Sequence, residues 1–239
     1  MNYKQLGVQL TDLLALKVNP MTITFSDAKP ENIPFFESKM PVKTADGRTG
    51  KVSAGCVFWM HGTERAFTTT PEDHGNCSVG SLTHGLKSIE EVKDNEDVQA
   101  ILECGWVPLE VVPEIPTVKK KFNYITYKPI NLEEGKPDVV FLRVNAKQAM
   151  ILKDALPNLQ FEGKPQCHII PIAKEQEKVA ISVGCMLSRV RTGMSNNEMT
   201  VAIPAKKLFE VVEKLQKACA IDQTVSMYAS QDAVRFRKN

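Results

Sequence analysis

Two stretches of this chain carry the same cysteine-anchored pattern, and a repeat constrains a fold more tightly than any single motif. Residues 76–86 read Asn-Cys-Ser-Val-Gly-Ser-Leu-Thr-His-Gly-Leu, and residues 184–194 read Gly-Cys-Met-Leu-Ser-Arg-Val-Arg-Thr-Gly-Met. Aligned on Cys77 and Cys185, both place an aliphatic side chain five positions on, Leu82 and Val190. Glycine follows at Gly85 and Gly193, and an apolar residue after it, Leu86 and Met194. Each segment has another cysteine upstream: Cys56 precedes Cys77 by 21 residues, and Cys167 precedes Cys185 by 18. The pattern reads as a decayed internal duplication. Two halves packed face to face would let the four thiols converge. Short matches anchored on a chosen cysteine also arise by chance, so the arrangement in space decides.

A chain of 239 residues can bury a substantial core as one large domain or two small ones. Its 30 basic and 28 acidic residues leave a formal charge of +2, which gives no global field for nucleic acid or an anionic membrane. The local basic runs, Lys119-Lys120-Lys121 and Arg235-Phe236-Arg237-Lys238, read as solvated surface. No stretch approaches the ~20 apolar residues of a membrane span. Leu6, Leu10, Leu13, Leu14 and Leu16 recur at largely helical spacing among Gln5, Gln9, Asp12 and Lys17, so the opening reads as an amphipathic helix and not a signal peptide. The expectation is a cytoplasmic protein, in which cysteines serve as thiols or metal ligands rather than disulfides.

Along the chain, strand and helix patterns alternate, which predicts an α/β fold of mixed sheets with flanking helices. Strands are expected at Met21–Phe25, 65–69, Tyr124–Tyr127, Asp138–Val144, Cys167–Ile170, Lys178–Val183, Met199–Ile203 and Val225–Tyr228. The run Cys56–Met60 suits a buried strand or the start of a helix. Helices are expected at 3–17, briefly around Asn32–Ser38, from Cys77 with Asn76 as its cap, at 89–104 and 146–156, from Cys185 after the Gly184 turn, and at 205–218. The whole chain, 1–239, reads as a single compact unit. Its first cysteine-bearing half spans 20–105, its second spans 137–218, and the proline-rich stretch 106–136 connects them.

In order along the chain, Pro20-Met21-Thr22-Ile23-Thr24-Phe25, Asn76-Cys77-Ser78-Val79-Gly80, Pro137-Asp138-Val139-Val140-Phe141 with Gln148-Ala149-Met150, Ser182-Val183-Gly184-Cys185 and Ala202-Ile203-Pro204-Ala205 resemble the prokaryotic family called domain of unknown function 169. The ordered set covers most of the chain, and no one segment is diagnostic. The resemblance implies a single cytoplasmic family unit and supplies no reaction.

The chemistry therefore rests on residues. A cysteine at a helix N-terminus meets free N–H groups and the positive end of the dipole, which favour a thiolate. Cys56, Cys77, Cys167 and Cys185 are the candidate metal ligands, with an iron–sulfur cluster, 4Fe-4S by preference, as the cofactor and zinc as the alternative. Neither the closely spaced cluster run nor paired CxxC occurs, so spacing does not discriminate between them. A chain large enough to fold without a metal staple favours the cluster, in a redox, electron-transfer or sensing role. All four histidines, His61, His74, His84 and His168, lie near these cysteines in sequence. Cys104 and Cys219 have no counterpart in the repeat and are assigned to packing. Two other classes stay open. One is a thiol-dependent enzyme using Cys77 or Cys185, a histidine base, and Arg189 and Arg191 for a small anionic substrate. The other is a small-ligand carrier with structural cysteines. The partners expected are a redox protein or a small molecule, not nucleic acid and not a membrane; substrate and oligomeric state are not legible.

Overall fold

The strand Val139–Val144 is apolar at every position but Arg143 and is buried at almost every position, which suits a strand covered on both faces. It is the central strand of the molecule. The computed structural model describes residues 2–36, 42–43, 49–50, 56–75 and 77–236. In chain order the elements are α1 (Tyr3–Leu14), β1 (Met21–Ser26), β2 (Val42–Lys43), β3 (Thr49–Gly50), α2 (Cys56–Gly62), β4 (Phe67–Thr69), α3 (Ser78–Thr83), α4 (Ile89–Val92), α5 (Glu96–Glu103) and β5 (Tyr124–Pro129). There follow β6 (Val139–Val144), α6 (Ala146–Ala155), β7 (Gln160–Glu162), α7 (Ile169–Glu175), β8 (Ala180–Ser182), α8 (Met186–Thr192), β9 (Met199–Pro204) and α9 (Leu208–Phe236).

Seven strands form one sheet in the order β4-β5-β1-β6-β9-β8-β7, while β2 and β3 pair separately. All pairs in the large sheet are antiparallel except β7 with β8. The architecture is thus mixed α/β, a mixed sheet with flanking helices. Alternation along β6 divides the core. Val140 and Leu142 point to one face, where α1, α6 and α9 bring Leu10, Leu152, Leu208 and Leu215. Val139 and Phe141 point to the other, where α2 and α7 bring Phe58, Trp59, Ile169 and Ile170.

The register has an internal symmetry. β1 and β6 cross with Thr22 opposite Val140, Met21 opposite Phe141 and Ile23 opposite Val139. On one side β1 pairs β5 from Met21–Pro129 to Ser26–Tyr124. On the other β6 pairs β9 from Val139–Pro204 to Val144–Met199. The outer pairs correspond too: β4 with β5 at Phe67–Tyr127, Thr68–Thr126 and Thr69–Ile125, and β8 with β9 at Ala180–Ala202, Ile181–Val201 and Ser182–Thr200. An approximate two-fold through the Thr22–Val140 pair therefore carries β1, β4 and β5 onto β6, β8 and β9. Even the exits match. The N–H of Ile130 after β5 donates to Pro20 O, and the N–H of Ala205 after β9 donates to Asp138 O.

Several sequence expectations are corrected. Cys167–Ile170 is not a strand: Gln166–His168 forms a 3-10 turn that leads into α7. Val225–Tyr228 lies within α9, which runs on to Phe236 instead of stopping near residue 218. The helix expected at 89–104 breaks into α4 and α5, because Ser88 and Asn95 each open a new N-terminus. The stretch 106–136 is not only a connection, since it supplies β5 between β4 and β1. Residues 32–36 form no helix, and Phe35 instead bridges Thr68; the rest of that expected helix, and the Asn76 cap, lie outside the described residues. Among the described residues no helix is long and apolar enough to cross a membrane.

Candidate functional site

Each of the four paired cysteines sits where a helical element begins. Cys56 is the first residue of α2. Cys77 is the N-cap of α3 in extended conformation, and its sulfur accepts the Gly80 N–H at 3.4 Å. Cys167 lies in the 3-10 turn preceding α7. Cys185 is the N-cap of α8. Sequence made these starts legible at Cys77 and Cys185, where a turn-rich loop or Gly184 precedes the cysteine and glycine follows the helix.

The two-fold register then crosses the pairs. α2, opened by Cys56, packs on α8, opened by Cys185. α3, opened by Cys77, packs on the turn that carries Cys167. All four side chains line one small pocket together with Gly80, Gln166, Ser188 and Arg191. Its free volume is about 30 Å³, room for water but not for a substrate-sized molecule. All six cysteines are free. Cys104 and Cys219 do not line the pocket. Cys219 is buried in α9, its S–H donating to Leu13 O at 3.4 Å, as packing requires. Cys104 caps α5 and is exposed, which corrects its assignment to packing.

The electrostatics separate the thiols. Burial pushes the Cys56 thiol up to about 12, with the neighbouring Cys77 and Cys185 adding to the shift while Arg191 and Ser188 oppose it. Burial also drives Cys167 well above the usual thiol value, with Cys77 adding. Arg191 is the cation of the site: its guanidinium lies against Cys77, and Cys56 lines the same pocket. Its Nη1 is buried and has no hydrogen-bond partner, as is Gln166 Oε1 in the same wall. The Gln166 Nε2–H donates to Ser188 Oγ at 2.6 Å. Sequence reading missed Gln166 and Ser188; the helical spacing Cys185, Ser188, Arg191 is the signal that marks the latter.

Arg189, expected beside Arg191 as an anion ligand, is occupied otherwise. It donates to the carbonyls of Val183 (2.7 Å), Glu198 (3.1 Å) and Ser195, and so ties down the loop before Cys185. The histidines do not join the thiols, and none lines the pocket. His74 and His84 are fully buried with ring centroids 5.7 Å apart. Burial lowers His84 to about 4, against the pull of the Gly80 carbonyl, and burial, then the neighbouring His84, hold His74 well below its usual value. His168 stands 3.7 Å from Glu162.

Among the described residues, no group of three or more His, Cys, Asp or Glu side chains is arranged to hold a single metal ion. Tetrahedral zinc with bonds of about 2.3 Å needs sulfurs in near contact with one another. A cluster binds its thiolates through separate irons, so it takes a wider set of sulfurs. The donor chemistry fits such a group: four thiols, no carboxylate in the lining, and one buried cation. The pocket's free volume of about 30 Å³ is too small for such a group, so its walls would have to move apart to admit one.

No curated protein and no solved structure matches the chain. The family DUF169, described as uncharacterised ArCR, matches residues 9–214. With the match running from α1 into α9 and across all four pocket cysteines, the chain belongs to the DUF169 family.

Proposed function

We propose that Cys56, Cys77, Cys167 and Cys185 hold an iron–sulfur cluster of the 4Fe-4S type, in a redox, electron-transfer or sensing role. The observation that carries this reading is their joint lining of one pocket from four separate helical starts. Two related halves, descended from one duplicated unit, would each supply two ligands across the pseudo-two-fold. When bound, such a group exchanges single electrons at a potential set by charge and hydrogen bonds around its sulfurs. Arg191 would offset thiolate charge, and the Gly80 N–H would donate to the Cys77 sulfur. Cys56 and Cys167, held protonated by burial, would release their protons on binding. The role implies a redox partner protein or a small ligand, and a reducing compartment such as the cytoplasm.

The test is purification without oxygen. The protein should be brown, contain iron and acid-labile sulfide, and bleach with dithionite or air. Cys77→Ser and Cys185→Ser should each remove the absorption while the far-ultraviolet dichroism is kept. A colourless protein with stoichiometric zinc would replace the cluster by the alternative metal. A colourless, metal-free protein with one hyper-reactive cysteine would overturn both in favour of thiol chemistry. That last reading lacks its base at present, since no histidine lines the pocket.

A further inference from the structure

A second cavity lies at the far end of α3 from Cys77. It is a half-open cleft of about 470 Å³, within the range of small-molecule sites. Its walls come from the C-terminal end of α3, from α4, and from the chain between the 3-10 turn Leu109–Glu114 and Lys121. Leu82, Leu86, Val112, Ile115 and Val118 give it an apolar floor.

The rim is cationic. Lys87, Lys119 and Lys121 all line the cleft. Among the described residues none of the three ammonium groups makes a hydrogen bond or a salt bridge to protein; the Lys87 backbone N–H donates to Ser81 O. The one acid in the lining is Glu91, whose carboxylate already accepts the Ser88 N–H at 2.7 Å in the capping box that starts α4. Three lysines therefore stand against one carboxylate over an apolar floor, and although Lys121 and Lys87 already feel the Glu91 charge, the cleft keeps an excess of positive charge. That combination suits a ligand with an apolar body, which the floor removes from water, and an acidic head, which the lysines meet. A neutral apolar molecule would leave the charges unused, and a small inorganic anion would leave the floor wet.

We propose that this cleft binds an amphiphilic anion, an acidic head group on an apolar chain. The site is separate from the cysteine pocket and does not depend on what that pocket holds. The wall it shares with that pocket is α3, whose N-cap is Cys77 and whose Leu82 lines the cleft.

Isothermal titration calorimetry of the full chain, with octanoate, octyl phosphate, 1-octanol and acetate as probes below their micelle concentrations, tests the proposal. At least one of the two acids should bind saturably at one site, and comparing them separates a carboxylate head from a phosphate. Octanol should bind more weakly and acetate not at all. Lys87→Ser/Lys119→Ser/Lys121→Ser should weaken the acid by about tenfold or more and leave octanol unchanged, and added salt should weaken only the acid. Ile115→Asp should weaken acid and alcohol alike. Absence of saturable binding by both acids, or binding untouched by the triple lysine variant, overturns it.

Discussion

Gly85 and Gly193 each follow a short cysteine-capped helix at φ of +68° and +66°, yet a methyl group added to each meets different surroundings. On Gly193 the new Cβ would find nothing within 4 Å. On Gly85 it would stand 2.2 Å from the carbonyl oxygen of Val118. That carbonyl cannot retreat freely, because the Val118 N–H donates to Thr83 O at 2.9 Å and the Val118 side chain is buried. Gly193→Ala thus carries only the left-handed conformation, about 1 kcal/mol. Gly85→Ala adds the displacement of backbone in a packed region, roughly 1–3 kcal/mol more, for a total of about 3 kcal/mol. In a chain of this size each kcal/mol lowers the melting temperature by about 2–4 °C. Gly193→Ala should lose about 3 °C and Gly85→Ala roughly three times as much on that scale. Urea denaturation under reducing conditions checks the same ratio through the midpoint, provided the slope is unchanged. Equal losses in the two variants would refute the reasoning, because they would mean that the Val118 contact counts for nothing.

Acid should unfold the protein through its buried histidines. His84 and His74 stay neutral when folded but gain protons when unfolded, so stability falls as pH drops from about 6.5 towards about 4, with a slope approaching 2.7 kcal/mol per unit for the two. Stability flat between pH 6.5 and 5 would contradict this. Alkali should act through Cys56, whose unfolded thiol ionises near 9 and whose folded thiol holds its proton to about 12. The metal-free protein then keeps its stability below pH 9 and loses about 1.4 kcal/mol per unit above it, with Cys167 adding to the slope; Cys56→Ala should flatten the slope, and an unchanged slope would place its origin elsewhere. Under the cluster reading, Arg191→Met removes a cation beside Cys77 and should move the reduction potential to more negative values in film voltammetry. An unmoved potential would mean that Arg191 serves packing alone.

How far the sequence reveals this molecule depends on whether a signal is local. The continuous apolar run Val139–Val144 reads as a buried strand because five of its six side chains must leave water. The run Cys167–Ile170 is equally apolar and misleads, since Ile169, Ile170 and Ile172 belong to a helix buried on the sheet. Composition cannot tell a short buried helix from a short buried strand. Val225–Tyr228 has strand-like side chains, but α9 arrives already formed from Leu208, and extending a helix asks less of each residue than starting a strand. The helical starts at Cys77 and Cys185 are legible because caps and terminal glycines act within a few residues. Their meeting in one pocket is not. It depends on Thr22 lying opposite Val140, and on the four cysteine-bearing connections around β4 and β8 meeting in one place. The gaps of 21 and 18 residues between paired cysteines carry no ligand signature, because the strands β4 and β8 occupy them. A site assembled in this way answers to sheet register before it answers to sequence spacing. Disturbing the β1–β6 pairing should therefore separate the thiols even with every cysteine in place.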